Sequence, residues 1–340
     1  MILTGVILTG VFALNLFVFL ETPSGQPGGP DVEMVIDHGT PVKKIVQDLQ
    51  AQGIITNIPL FKIYIFFKRA SSKIRAGEYH FQSHRKPAQV LTLLMKGDFA
   101  IHSITLVEGW TVREIASYLQ DLKLIDASLF IARCSDPVFI SSLGLSVPSL
   151  EGYLYPDTYR VYKPKSEEEM IRKFVDHFKG VYAKDFEMRT RELATSQQDV
   201  VNLASIIEKE TGNKDERPLI ASVFLNRLKR GMPLASDPTI IYGIRDFSGN
   251  LTRRDLTTPG PYNTYLNAGL PPTPISNPGS ASIRAVLYPA ETDYLFFVSK
   301  NDGTHYFSKN EAEHAAAVRR YQVLLFRHSE TRSALPPKTP

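Results

Sequence analysis

Ile36-Asp37-His38-Gly39-Thr40-Pro41-Val42 and Leu106-Val107-Glu108-Gly109-Trp110-Thr111-Val112 are one short pattern written twice, 70 residues apart. An apolar stretch runs into a glycine, and a helical spacing follows. It is carried by Ile45, Leu49 and Ile55 in the first copy and by Ile115, Leu119 and Ile125 in the second. Apolar residues at that spacing turn one helix face toward a core, while the stretch before the glycine suits a strand. Each copy thus predicts strand, glycine turn and amphipathic helix, with Thr40 and Thr111 placed to cap free amides at the helix starts. Between the copies, Leu60 to Phe67 is apolar, and Gly77-Glu78-Tyr79-His80-Phe81 reads as a strand leaving a turn. The expected fold class is α+β, with residues 33–148 forming small βα modules.

Upstream, residues 1–20 carry no charged side chain. Twenty helical residues reach roughly 30 Å, the thickness of a bilayer hydrocarbon core. Their apolar run ends in the bulky Phe19-Leu20 with no small-residue cleavage site, so an uncleaved transmembrane anchor is expected, with a cleaved signal peptide as the alternative. Residues 21–30 hold three Pro and three Gly, so a flexible linker over 21–32 follows. The remaining 320 residues are expected outside the cytoplasm, attached to the membrane through residues 1–20. Over the whole 340 residues the composition is that of a globular protein, 43% hydrophobic and 22% charged, which excludes a polytopic membrane protein. A net charge of +4 gives no signal for nucleic acid. Cys134, the one cysteine, excludes an internal disulfide and any cysteine-based metal site.

Downstream, a catalytic domain is expected over 149–326, mixing helices and short strands, with a tail over 327–340. Charged helix is expected over 166–195 and two stronger helices over 198–230. Prolines then interrupt every long element between 232 and 280. Tyr294 to Val298 and Thr304 to Phe307 form a hairpin about Asn301-Asp302-Gly303, and a last helix covers about 310–326. There is no phosphate-binding loop, zinc-protease motif or nucleophile elbow. His80 and His84 have no third ligand close in sequence, so neither metal nor cofactor is expected.

The chemistry concentrates in Val200 to Thr211. On a helical wheel Val200, Leu203, Ala204 and Ile207 make the buried face, while Lys209 points to solvent. Glu208 and Glu210 flank that face on opposite sides, roughly 160° apart, so one cleft cannot use both. A carboxyl at the edge of an apolar face loses hydration and keeps its proton, which suits a general acid. Both could equally be helix-boundary charges. Asp237, Tyr242, Asn263, Tyr265 and Asn277 lie in the Pro/Tyr/Asn-rich stretch and are candidates for sugar contacts, or for fixing turns. His305 either bonds in a site or stands on an exposed hairpin. Glu151 and Asp157 either support the site or are structural.

Leu150-Glu151-Gly152-Tyr153-Leu154-Tyr155-Pro156-Asp157-Thr158-Tyr159, the Leu203 to Thr211 segment and Ser222 to Leu228 resemble the signature of the MltG-like (YceG-like) endolytic murein transglycosylases. So do Asp237-Pro238-Thr239 with Tyr242-Gly243, Tyr262-Asn263-Thr264-Tyr265, and Gly269 to Gly279. The likeness runs in order from about residue 33 to 322, and the βα repeat is similar to glycan-binding LysM modules, a structural spacer being the alternative. The resemblance implies a lyase that cuts peptidoglycan glycan strands within their length and terminates their elongation, beside penicillin-binding synthases. It places the essential glutamate at the first Glu of E-K-E-T, Glu208. As acid, Glu208 would protonate the oxygen joining N-acetylmuramic acid to N-acetylglucosamine. As base, it would then free the muramyl C6 hydroxyl to close a 1,6-anhydro ring, so no second carboxylate is required. A non-catalytic wall-binding protein, or a hydrolytic muramidase pairing Glu208 with Glu151 or Asp157, are the competing readings.

Overall fold

The computed structural model describes residues 2–324 apart from His38, Asp98 and Asp246, so the turn histidine of the first repeat and the expected tail over 327–340 lie outside the described residues. The chain forms two compact units: residues up to 104 with 159–163, and residues 105–158 with those from 164 onward.

The first unit begins with α1 (Ile2–Glu21) and β1 (Val32–Ile36), continues with α2 (Val42–Ala51), α3 (Ile58–Phe67), β2 (Gly77–Phe81) and α4 (Pro87–Lys96), and includes most of β3 (His102–Thr105). β1 and β2 pair antiparallel, from Val32 opposite Phe81 to Ile36 opposite Gly77. Alternate residues of a strand face opposite sides, so Met34 and Ile36 meet Tyr79 and Phe81 inside, against Leu49, Phe61 and Leu94. Gly77 is required because the Phe99 ring occupies the space a Cβ would take. The buried Tyr79 hydroxyl donates to the carbonyl of Arg75 at 2.6 Å and to that of Leu94 at 3.2 Å.

The expected transmembrane helix over 1–20 is overturned. Among the described residues no helix is long and apolar enough to cross a membrane. The final turns of α1 instead close the first unit, with Phe19 buried in its core and Leu16 and Leu20 packed on the same cluster. Lys86 lies 2.6 Å from Glu21, at the end of the helix. The apolar run read as lipid-facing is thus partly core. The linker reading changes too, since Ser24 is buried and its amide donates to the Arg85 carbonyl at 3.0 Å.

The repeat is real in the backbone. α5 (Val112–Asp121) starts 70 residues after α2, and each is preceded by a strand and a glycine turn. The two caps differ. Thr111 accepts the Glu114 amide at 3.2 Å, and Glu114 accepts the Thr111 amide at 2.7 Å, a reciprocal capping box. Thr40 caps nothing: Pro41 starts its helix, and the Thr40 hydroxyl donates to the Asp37 carbonyl. α6 (Ala127–Arg133), α7 (Pro137–Ser142) and β4 (Thr158–Val161) follow, and β4 pairs with β3.

The second unit continues with α8 (Glu167–Asp185), α9 (Glu187–Glu192), α10 (Gln197–Glu210), α11 (Arg217–Lys229), α12 (Asp237–Gly243), α13 (Arg253–Thr257), α14 (Ser280–Leu287), β5 (Phe296–Ser299), β6 (His305–Ser308) and α15 (Glu311–Val318), which runs into a π-helical turn over Arg319–Leu324. The single helix expected over 166–195 breaks at Phe186, which leaves helical geometry to bury its ring. α10 is central rather than amphipathic, with every residue from Val200 to Ile207 buried. Its polar members are bonded to the proline-rich segment. Asn202 donates to the Pro271 carbonyl at 2.6 Å, and the Ser205 hydroxyl accepts the Ile275 amide at 3.0 Å. Prolines suit a strap of this kind, since each removes a backbone donor that burial would leave unpaired. β5 and β6 pair antiparallel as the hairpin pattern predicts, with Asn301 and Gly303 both at positive φ in the turn.

Candidate active site

Glu208 and Glu210 leave the end of α10 in opposite directions, as the wheel predicts, and enter unlike surroundings. Glu208 is enclosed. Its Oε1 accepts from Arg217 Nη2 at 2.7 Å, its Oε2 accepts the Gly279 amide at 3.0 Å, and both ion-pair side chains are 4% exposed. Glu108 lies beside the same guanidinium at 4.0 Å, and Gly109 lies against the Glu208 stem. Both carboxylate oxygens are therefore spent on ties that join α10 to the starts of α11 and α14.

Glu210 opens onto a cavity of about 470 Å³, lined also by Asp237, Tyr265, His305, Phe296 and Arg227. Ser236 Oγ donates to Glu210 Oε1 at 2.5 Å. Burial pushes the Glu210 carboxyl up to about 7; the Ser236 bond and, more weakly, the Arg227 charge oppose this, while the Asp237 charge adds to it. The Tyr265 hydroxyl donates to Asp237 Oδ1 at 2.6 Å, and burial with that bond pushes the phenol well up, so it remains a donor at neutral pH. Glu216 accepts both the His305 amide, at 2.9 Å, and ring Nδ1, at 2.7 Å, which fixes the imidazole. The Arg227 guanidinium is occupied by the carbonyls of Leu295, Pro233 and Leu234 and lies over the Phe296 ring.

Local sequence explains why these groups meet. Ser236 and Asp237 stand at the entry to α12. The Thr264 hydroxyl accepts the Ser236 amide at 3.0 Å, and Thr239 donates to the Ser236 carbonyl at 2.7 Å. Asn263 donates to the Thr258 carbonyl at 2.8 Å and accepts the Tyr265 amide at 3.0 Å. In Tyr262-Asn263-Thr264-Tyr265, Asn263 therefore folds the loop, Thr264 seats Ser236 and Tyr265 holds Asp237.

The other predicted residues divide differently. Glu151, Tyr242 and Asn277 form a buried knot. Glu151 accepts the Val112 amide at 3.0 Å, the Tyr242 hydroxyl at 3.1 Å and Asn277 Nδ2 at 3.1 Å. Asn277 Oδ1 also accepts the amides of Gly152 and Leu154, at 3.0 and 2.9 Å. Burial pushes the Glu151 carboxyl up to about 8, against the lowering pull of the Val112 amide and the Tyr242 hydroxyl. Asp157 stands apart at the surface, 2.7 Å from His177 Nε2.

Comparison with known sequences assigns the chain. The sequence profile of the YceG-like family matches residues 34–320. The chain belongs to the YceG-like family. Among its YceG-like relatives, the endolytic murein transglycosylase of Bacillus subtilis is 32% identical over 317 residues, covering 89% of this chain and 88% of that one. That of Streptococcus pneumoniae strain R6 is 27% identical, and the match covers 83% of this chain and 57% of the longer pneumococcal protein. The crystal structure of a YceG-like protein from Listeria monocytogenes superposes with a TM-score of 0.59 at 31% identity, over 84% of this chain and 98% of that one. This YceG-like chain is an enzyme of the lytic transglycosylase class.

Sequence reasoning missed several residues of the YceG-like site. Ser236 directly precedes Asp237-Pro238-Thr239, and its position before a helix-starting Asp-Pro was the available signal. Gly279 closes the Gly269 to Gly279 segment, and its amide reaches back 71 residues to Glu208. Glu216 and Arg217 carried only the weak signal of charges at the start of an apolar helix.

Proposed function

We propose that this protein cleaves the glycan strands of murein by lytic transglycosylation, with Glu210 rather than Glu208 moving the proton. The observation that carries the reading is the Glu210 carboxyl, raised to about 7 at the wall of a 470 Å³ cavity that also holds Asp237, Tyr265 and His305. A group that must give a proton and then take one works best with its pKa near the working pH. Glu208, whose two oxygens are engaged by Arg217 and Gly279, has the geometry of a structural ion pair. Assignment to the first glutamate of E-K-E-T therefore gives way to the second.

In this reading Glu210 protonates the oxygen between N-acetylmuramic acid and N-acetylglucosamine as the bond to C1 breaks. The resulting carboxylate accepts the proton of the muramyl C6 hydroxyl, whose oxygen closes on C1. The nucleophile belongs to the substrate, so one carboxyl serves both steps and no water is consumed. Names of the relatives support murein as substrate, which puts the action outside the cytoplasm, and a cut within a new strand would end its growth beside a synthase. The β-α-α-β arrangement of the first unit supports a glycan-holding role for it.

Digestion of purified sacculi followed by mass spectrometry tests the reading. Wild type yields anhydro-ended fragments and Glu210→Gln yields none while keeping the wild-type circular dichroism spectrum. Products one water heavier would establish hydrolysis instead, and folded wild type releasing nothing would leave a binding protein.

A further inference from the structure

Asp237 has no task in the single-carboxyl scheme, yet it is held in the same cavity as Glu210. It is the exposed first residue of α12, and Tyr265 pins only one of its oxygens, Oδ1, at 2.6 Å. Tyr265 is itself seated by Asn263, which accepts its amide at 3.0 Å. The carboxylate is thus oriented through a chain of bonds that leaves Oδ2 as an acceptor at the cavity wall.

The stereochemistry of the reaction asks for such an acceptor. The bond broken is β, and the 1,6-anhydro ring is also closed from the β face of C1. Retention requires two displacements, so something must occupy the α face in between. The nearest nucleophile there is the substrate's own 2-acetamido carbonyl oxygen, the route used by substrate-assisted glycosidases.

We propose that Asp237, positioned by Tyr265, accepts a hydrogen bond from the acetamido N–H of the muramyl unit and pairs with the cation that forms on it. The proposal rests on the Glu210 reading above. In the first step the acetamido oxygen bonds to C1 while the C1–O4 bond breaks. Its electron pair goes to O4, which takes the Glu210 proton. The five-membered ring so formed is an oxazolinium whose N–H carries the positive charge, and the Asp237 carboxylate lies against it. In the second step the C6 oxygen bonds to C1, its proton passes to Glu210, and the C1–oxygen bond of the ring breaks, restoring the acetamide. Atoms and charge balance with no added reactant. A carboxylate that gains its partner only as the cation forms stabilises the transition state more than the ground state.

Titration calorimetry on the full chain with N-acetylglucosamine-thiazoline, a stable mimic of the fused ring, tests Asp237 without turnover. Wild type should bind the thiazoline at least about 10-fold more tightly than N-acetylglucosamine, as expected of an intermediate mimic. Asp237→Asn, which preserves size and the bond from Tyr265, should abolish that preference while leaving N-acetylglucosamine binding unchanged, and should lower kcat about 100-fold with little change in KM. Tyr265→Phe should fall between. Equal thiazoline preference in wild type and Asp237→Asn, or wild-type kcat in that variant, overturns the proposal. Glu210→Gln keeps the thiazoline preference and loses cleavage if both readings hold. If it cleaves normally the Glu210 reading fails, while the calorimetry still reports on Asp237.

Discussion

Ser236→Ala removes the 2.5 Å hydrogen bond to Glu210 Oε1 and changes little else that holds the segment. The Ser236 backbone is secured independently, its amide by Thr264 at 3.0 Å and its carbonyl by Thr239 at 2.7 Å. A hydrogen bond to a charged group contributes about 1.5–3 kcal/mol, and one pKa unit corresponds to about 1.4 kcal/mol, so the upper limit is a shift of about 1–2 units. Part of that loss is recovered by water entering an open cavity, which makes about one unit the working expectation. The bond favours the carboxylate, so its loss raises the Glu210 pKa from about 7. Asp237 already pushes it up and Arg227 pulls it weakly down, and neither is touched by the substitution. The free enzyme must carry the proton to begin the reaction, so kcat/KM falls as pH rises through this pKa. The assay is kcat/KM on soluble glycan strands from pH 5 to 9. The descending limb should move to higher pH by about one unit in Ser236→Ala and return in Ser236→Thr. A uniform loss at every pH with an unmoved limb would refute the argument, since it would make Ser236 a packing residue only.

Two further outcomes concern stability. Glu151 has a folded pKa of about 8, above its unfolded value, so its contribution is fully present below about pH 4.5 and is lost as pH rises through about 8. Thermal melts of Glu151→Gln against wild type should therefore become relatively more favourable to the variant between pH 5 and pH 9, and a pH-independent difference would contradict this. Glu208→Gln leaves the 3% exposed Arg217 without its charge partner; breaking a buried pair in this way costs about 3–5 kcal/mol, which chemical denaturation should register.

The sequence carried more of the fold than of the site. The repeat predicts α2 and α5 because helical spacing after a glycine turn is a local signal, and the β5–β6 hairpin follows from Asn301-Asp302-Gly303 in the same way. α1 misled because a charge-free helix looks alike whether lipid or a protein core takes its side chains; only the burial of Phe19 against the first unit separates them. Thr40 and Thr111 share a position in the repeat, yet only Thr111 caps, because its capping box needs Glu114 three residues on, where the first copy has Lys44. For α10 the wheel separated Glu208 from Glu210 but could not say which flank is closed. Arg217, Gly279 and Glu108 close one, and Ser236, Asp237 and Tyr265 build the other. They are brought there by contacts up to 100 residues away along the chain, and no periodicity encodes that.

Turnover of Glu208→Gln and Glu210→Gln, measured side by side on the same glycan strands at a temperature where both are folded, tests the central claim most directly. Glu210→Gln should release no anhydro ends, while Glu208→Gln should retain cleavage within about tenfold of wild type after its lower stability is allowed for. A folded, inactive Glu208→Gln beside an active Glu210→Gln would contradict the account and return catalysis to the other flank of the helix.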